Sequence, residues 1–566
     1  MGTVGQVAIG NAASNPRSDR AWIAAALLYA VAALALCYAA EPLDHGYTRY
    51  ATVAFEMLHR GDWVAPRLDG RLYVDKPPLA MWAIAAAMAL SNSTASFTQH
   101  APNLVALLLS VLFLQRLGAR IFGRRDAGWI AAGIYLSALL PYAMLRDKRI
   151  DPLFTALLIG ALDFLHAALA SRPGPGARFG RWLGAGALLA AATLTKGPLA
   201  IAFFIAIAVA TAAWTRNLRT LASRDAFAGA ALCLAIIALW PLAMWHDGGL
   251  AAWLHRLAER DLVSRFAGPL HYVWNLPLRL APWALLLPAL AVALRPLLRA
   301  ETGAALRFPV TWFGVVFALL HVTSAKHTRY LLPALPAAAL LFVALWIAPR
   351  TGAAAALPAN VRRLRDGGIA FLLALGVVAG IAMPIVPVWL PEARTLWPAL
   401  AIGGALAAIG AGVTLRRMRA GADAVAVLAR ALVVVLVLEA SFDLFRAARH
   451  LANGDLPAAQ IALTEVRAGK PTLMWQLRGD TRNAVLLATR ASLVQGNSAD
   501  DARRFAAASA EGFVVARPRD FDALRAEPGL IVGAPTPLRL AKKDLVVATL
   551  RAATADGAAA ASAPQP

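Results

Sequence analysis

The chain is poor in charge and nearly without cysteine. Of its 566 residues only 15% are charged and 59% are hydrophobic, whereas an average soluble protein carries about 25% charge, so the composition argues against a soluble globule. The two cysteines, Cys37 and Cys233, both lie inside apolar runs. A thiol there behaves as a small hydrophobe, which excludes a disulfide scaffold and suggests neither a bridge nor a metal site. The sequence has no P-loop, no Rossmann glycine pattern, no HExxH and no paired CxxC. Nucleotide hydrolysis, dinucleotide chemistry and a motif-defined zinc site therefore find no support. Residues 1–19 lack the small-residue cleavage site of a signal peptide, and the first apolar run reads as a retained span.

What the chain does have is length in its apolar runs. About thirteen runs are long enough to cross a hydrocarbon core of about 30 Å, near 20–40, 101–119, 127–145, 151–170, 182–197, 199–214, 226–245, 274–295, 307–324, 330–348, 368–389, 397–415 and 424–444. Only "LTKGPLA" separates the fifth from the sixth, so these two are either separate spans or one bent element. Lys and Arg outnumber Asp and Glu by 55 to 32, but the cations cluster between apolar runs, which speaks for a membrane and against nucleic acid as partner. Basic loops recur at 116–125, 172–181, 216–224, 295–307, 350–365 and 416–419, each two spans from the next. Short basic loops stay in the cytoplasm. The N-terminus is thus expected inside, with alternate loops and the C-terminus outside.

These patterns predict a polytopic α-helical membrane domain over 1–445, a small α/β domain outside the membrane over 446–552, and a disordered Ala-rich tail over 553–566. Runs such as "EGFVVARP", "GLIVGAP" and "DLVVATL" supply strands and "DARRFAAASA" a helix.

Polar groups concentrate in the outward loops. Loop 41–100 carries Asp44, His45, Arg49, Tyr50, Glu56, Asp62, Asp69, Tyr73, Asp75 and Lys76 within a short stretch. Within it, "YATVAFEMLHRGDW" places Tyr50, Val53, Phe55 and Leu58 near helical spacing, as in a helix lying on the membrane surface; a solvated surface helix fits the pattern equally. Asp151 opens the fourth span and is either a helix cap or an acid held at the lip of the membrane. Beside it Arg146, Lys148 and Arg149 break the positive-inside trend, and a phosphate at headgroup level would give such cations a partner. Lys196 in "LTKGP" and the group Lys326, His327, Arg329 and Tyr330 recur in the same sense, each also readable as an ordinary interfacial anchor. Together they put cations and aromatics on one face.

The segments "YTRYATVAFEMLHRGDWVAPRLDGRLYVDKPPLAMW", "DPLFTALLI", "LTKGP", "RFAGPLHYVWNLPLRLAPW" and "RYLLPALPAAALL", in that order, resemble the polytopic GT-C glycosyltransferases related to bacterial protein mannosyltransferases, and most closely the lipid A aminoarabinose transferases. The likeness covers about the first 335 residues. It implies a GT-C fold in the bacterial inner membrane and transfer of a sugar, with inversion, from a polyprenyl-phosphate carrier to lipid A or another envelope lipid, glycan or protein on the periplasmic face. It implies catalytic roles for Asp44 and Asp151, and for Lys76 a place at the carrier phosphate. Arg49, Tyr50, Tyr73, Asp75, Arg265 and Tyr330 fall on donor or phosphate positions. The family usually has an Asp-Glu pair directly before "TRYA"; here "DHGYTRYA" brings Asp44 into place with two extra residues, and Glu41 or Asp75 stands next in line. No cofactor is firmly implied, and a divalent metal stays open.

The rivals are a transporter and a non-catalytic membrane scaffold. A transporter is expected to carry ionisable groups within its spans, whereas the mid-span regions read as almost wholly apolar.

Overall fold

The computed structural model describes residues 16–40, 48–68, 70–145, 147–169, 175–245, 249–258, 268, 270–322, 326–349, 351, 355–452, 464–489, 493–509, 511–540 and 543–553. Asp44, Arg265 and the tail predicted beyond 553 fall outside them.

Among the described residues seven helices are long and apolar enough to cross a membrane: Ala101–Phe122, Asp151–Leu169, Arg224–Ala243, Gly303–Val322, Ala359–Trp389, Arg394–Arg419 and Ala424–Ala448. His271–Leu280 and Trp283–Arg299, bent by 107°, make an eighth if they are one span. Four apolar helices are shorter, namely Ile23–Leu36, Leu79–Ser91, Leu199–Trp214 and Thr328–Val343. By length and composition, therefore, seven or eight of the described helices qualify as spans on their own, and most of the remaining apolar runs of the sequence form shorter or broken helices among the described residues. The fifth and sixth runs are separate helices, Pro175–Lys196 and Leu199–Trp214. Gly197, at φ 99°, makes the left-handed turn between them and Pro198 stands at the cap of the second.

The chain forms two compact units, 1–37 with 367–449 and 38–366 with 450–566. In the first, the Tyr29 hydroxyl and Ser441 Oγ lie 2.7 Å apart, and glycines let the helices Ala359–Ala382 and Trp397–Arg419 pack backbone to backbone at Gly380 and Gly404.

In the second unit, helix Asp151–Leu169 is the centre. It packs against Ala101–Phe122 on one side and Pro175–Lys196 on the other, and nearly all of its residues are buried. Asp163, fully buried, is paired with Arg120 and lies 3.4 Å from Arg116 Nε. Asp163, Arg430 and Asp443 are buried within candidate spans, exceptions to spans that read as almost wholly apolar. Arginine partners on the neighbouring helix make the burial of Asp163 tolerable.

Helix Pro175–Lys196 also packs closely on Arg224–Ala243. A Cβ added at Gly186 would come within 2.1 Å of the Gly229 carbonyl oxygen, so Gly186→Val has to push the two helices apart. We expect a cost of about 1–3 kcal/mol, read as a lower unfolding midpoint in detergent, with Gly180→Val, which meets no atom within 4 Å, as the unaffected control.

Strands β1 (Arg67–Leu68) and β2 (Arg71–Leu72) form a small hairpin, and the C-terminal domain is a mixed sheet of β3 (Thr472–Trp475), β4 (Val494–Gly496), β5 (Gly512–Ala516), β6 (Leu530–Val532), β7 (Thr536–Leu540) and β8 (Lys543–Ala552), in the order β4-β3-β5-β8-β6 with β7 pairing β8. Strands β3, β4 and β5 run parallel, and β8 is antiparallel to β5 and to β6. Apolar clusters lie on both faces of the sheet, and β3 and β5 are buried at every position, as strands covered on both sides must be. Helix Ala499–Ala508 starts with a full capping box between Ser498 and Asp501. The strands expected from "EGFVVARP", "GLIVGAP" and "DLVVATL" are β5, β6 and β8.

Candidate functional site

The site begins in the loop 41–100. Helix Arg49–Arg60 is strongly amphipathic, burying Tyr50, Val53, Ala54 and Met57 at i, i+3, i+4 and i+7, with Phe55 and Leu58 half-buried. It ends at Gly61, whose φ of 68° suits a residue without Cβ. Asp62 Oδ1 then accepts the N–H groups of Val64 and Ala65, each at 3.0 Å, and turns the chain into a short hairpin of Arg67–Leu68 with Arg71–Leu72. Two indoles pin this turn from other elements: Trp82 Nε1 donates to the Trp63 carbonyl at 2.6 Å and Trp240 Nε1 to that of Val64 at 3.0 Å. The hairpin exit is held as well, the Tyr73 N–H donating to Pro66 O at 2.7 Å. Residues 73–76 follow, and Pro77 and Pro78 fix the chain direction into helix Leu79–Ser91.

The other walls come from helix ends. The Asn103 side chain donates to Asp147 O at 2.7 Å, and Arg149 Nε donates to Asp147 Oδ2 at 2.5 Å. Asp151 starts its helix. Lys196 is the last residue of Pro175–Lys196, and Arg329 and Tyr330 lie on the 3-10 turn Thr328–Ala334.

These pieces enclose a cavity of about 300 Å³ lined by Arg49, Tyr50, Tyr73, Asp75, Lys76, Arg149, Ile150, Asp151, Lys196, Arg329 and Tyr330. Five cationic side chains face two carboxylates there. Lys196 Nζ donates to Asp151 Oδ1 at 2.6 Å with both side chains nearly buried, and the same ammonium lies 4.7 Å from the centroid of the Tyr330 ring and 4.9 Å from that of Phe154. The Arg329 guanidinium also lies over the Tyr330 ring, 5.2 Å from its centroid. Tyr330 therefore serves as a cation platform between Lys196 and Arg329.

Of the site residues predicted from sequence, Arg49, Tyr50, Tyr73, Asp75, Lys76, Asp151 and Tyr330 meet in this one cavity. Asp44 and Arg265 lie outside the described residues. The prediction left out Arg149, Lys196 and Arg329 as site residues. Their signal was present, since each is a cation on the face where short loops are otherwise low in positive charge, yet each reads singly as an anchor. The carboxylate of Asp151 accepts a hydrogen bond from the Lys196 ammonium, 45 positions downstream. Among the described residues no group of three His, Cys, Asp or Glu side chains is placed to hold a metal ion.

A cluster of fixed cations with aromatic walls suits an anionic group such as phosphate, and it leaves two tyrosines, Tyr50 and Tyr73, each 7% exposed, to pack against a less polar moiety. Comparison with known proteins agrees with this chemistry. Residues 75–245 match the family described as dolichyl-phosphate-mannose-protein mannosyltransferase. The undecaprenyl phosphate-α-4-amino-4-deoxy-L-arabinose arabinosyl transferase of Pseudomonas aeruginosa strain LESB58 is 30% identical over 479 residues, covering 80% of this chain and 85% of the relative. The protein of the same name from Pectobacterium carotovorum is 29% identical over 60% of this chain and 61% of its own length. Among solved structures, that of ArnT from Cupriavidus metallidurans bound to undecaprenyl phosphate superposes with a TM-score of 0.70 at 19% identity, covering 95% of this chain and 99% of that one, which establishes a common fold.

Proposed function

The chain belongs to the family of undecaprenyl phosphate-α-4-amino-4-deoxy-L-arabinose arabinosyl transferases, and on that premise we propose that this multi-pass membrane protein moves a sugar, with inversion, from a polyprenyl-phosphate carrier to an acceptor of the cell envelope, lipid A first. The observation that carries the reading is the cavity with five cations and two carboxylates, built entirely from helix ends and interhelical loops.

The charge balance suits this reaction. A polyprenyl-phosphate sugar is a phosphodiester with one negative charge, and the departing phosphate monoester carries about 1.5 to 2 at neutral pH. Cations fixed before the reaction therefore bind the leaving group more strongly as the sugar–oxygen bond breaks, which is stabilisation of the transition state over the ground state. Lys76, Lys196 and the arginines supply that field. Asp151 keeps Lys196 in place, and Tyr50 and Tyr73 shape the sugar side. The acceptor hydroxyl still needs a base, and the family resemblance offers two carboxylates for it, Asp44 and Asp151, one to take the proton and the other to orient the sugar.

The experiment is mass spectrometry of envelope lipids and glycans from cells with and without the gene, paired with purified chain supplied with polyprenyl-phosphate sugar. Loss of a one-sugar mass increment on deletion, together with release of polyprenyl phosphate by the purified chain, supports the reading. Unchanged envelope lipids and glycans with no release remove it.

The orientation belongs to the same proposal. With the basic loops inside, the cavity opens on the periplasmic face and the C-terminal domain is periplasmic too. A reporter fused after residue 450 is expected to be active only outside the cytoplasm and one fused at Arg219 only inside; two reporters of one sign would overturn the odd span count.

A further inference from the structure

Glu56 sits where three pieces of the chain meet. Its Oε2 accepts the Gly70 N–H at 3.1 Å, holding the turn of the hairpin, and Arg60 Nε lies 3.8 Å from the same oxygen. The third piece is the C-terminal domain, whose helix Gly479–Thr489 packs against Arg49–Arg60. Near the start of that helix, Arg482 is within electrostatic reach of Glu56, while its own Nε is oriented by Gln495 Oε1 at 3.0 Å. Near the other end, the Leu487 carbonyl accepts the Thr94 hydroxyl at 2.7 Å, a buried bond. One helix of the C-terminal domain is thus tied to the loop on both sides of residues 73–76.

The path from Glu56 to the cavity is short in both directions. Through Gly70 it reaches the second hairpin strand and then Tyr73, Asp75 and Lys76. Back along its own helix, Arg49 and Tyr50 lie about two turns away. Burial pushes the Glu56 carboxyl up from its ordinary range, against the Gly70 N–H and the charges of Arg60, Arg482 and Arg67; burial likewise pushes Arg482 down, against the charge of Glu56. The opposite charge of each group thus offsets part of the cost of burying the other.

We propose that the C-terminal domain is a clamp on the donor site, with Glu56 and Arg482 as positioning residues that fix the 73–76 segment for the carrier phosphate. The clamp rests on the reading of the cavity given above for its consequence, though not for its structure. It explains why an α/β domain without a catalytic side chain in the cavity is joined to the membrane part through the loop that contributes most to that cavity.

The test uses full-length protein in detergent. In Arg482→Gln, amides of the hairpin and of residues 73–76 should exchange faster with solvent while the unfolding midpoint stays within about 4 °C of wild type. The KM for the donor should rise on the order of fivefold with kcat changed less, the split expected when binding geometry is loosened. Arg482→Lys should restore most of the affinity, and Glu56→Gln, which keeps an acceptor for Gly70, should match Arg482→Gln with the double variant no worse than either. Unchanged exchange in the hairpin and 73–76 in both single variants overturns the clamp. So does exchange that rises throughout the C-terminal domain with a lowered midpoint, which marks a structural role alone. If wild-type protein neither transfers sugar nor binds polyprenyl phosphate, the functional reading falls, and the exchange data still decide the clamp.

Discussion

Lys76→Ala is expected to lower kcat/KM for sugar transfer by a factor of about 10² to 10³, the loss seen when one preorganised charge is removed from a developing anion in a water-poor site. The expectation follows from how the lysine is held. Its segment leaves a hairpin whose exit N–H is bonded at 2.7 Å, and it enters two prolines that remove backbone freedom directly after it. An ammonium on so short a tether loses little entropy on meeting the phosphate. Because Lys76 is only half-buried, its removal should leave the fold intact, so the unfolding midpoint should move little. Lys76→Arg should recover only part of the activity, since a planar fork cannot take the place of a point charge at a fixed distance. Wild-type turnover in Lys76→Ala, measured with purified protein and polyprenyl-phosphate sugar, removes Lys76 from the site.

Lys76 was legible in the sequence for the same reason that it is well placed in the structure. "YVDKPP" joins an apolar-aromatic run to a proline pair, and that local pattern both marks a rigid tether and carries the family likeness. The amphipathic helix Arg49–Arg60 was legible by its period, and strands β5, β6 and β8 by short apolar runs between turn residues. What escaped was pairing over distance. Strands β3 and β4 and helix Gly479–Thr489 have little pattern of their own and acquire their state from the sheet they join. The break at Gly197 and Pro198 was visible in "LTKGPLA", but whether it divides two helices or bends one is decided only by the left-handed turn at Gly197. The partnership of Lys196 with Asp151 could not be read at all, because each residue sits alone at a helix end and both have a bland local explanation, a snorkelling lysine and a capping carboxylate. Only packing of helix Asp151–Leu169 against Pro175–Lys196 brings the two ends together.

That pair yields the second large effect. Asp151 and Lys196 are 7% and 10% exposed at their side chains and 2.6 Å apart, with Arg149 and Arg329 lining the same cavity. Asp151→Asn leaves the ammonium without its counter-charge among the four other cations of the cavity, and removing one member of a buried pair costs about 3 kcal/mol or more. We expect a clearly lower unfolding midpoint and transfer reduced by a factor on the order of 10². Lys196→Met should have a comparable effect on transfer, because the stranded carboxylate would repel the carrier phosphate. The double variant separates the two roles open to Asp151. If Asp151 holds Lys196, the double variant regains much of the lost stability, since neither charge is stranded, while transfer falls no further than in the single variants. If Asp151 instead takes the proton of the acceptor, Lys196→Met leaves a more basic carboxylate and substantial turnover, and the double variant is far worse than Lys196→Met alone. The first pattern leaves the proton to the other carboxylate that the family resemblance marks as catalytic, Asp44, and predicts that Asp44→Asn loses transfer while donor binding suffers less. Full activity in Asp44→Asn moves that role to Glu41 or to Asp75, the second carboxylate lining the cavity.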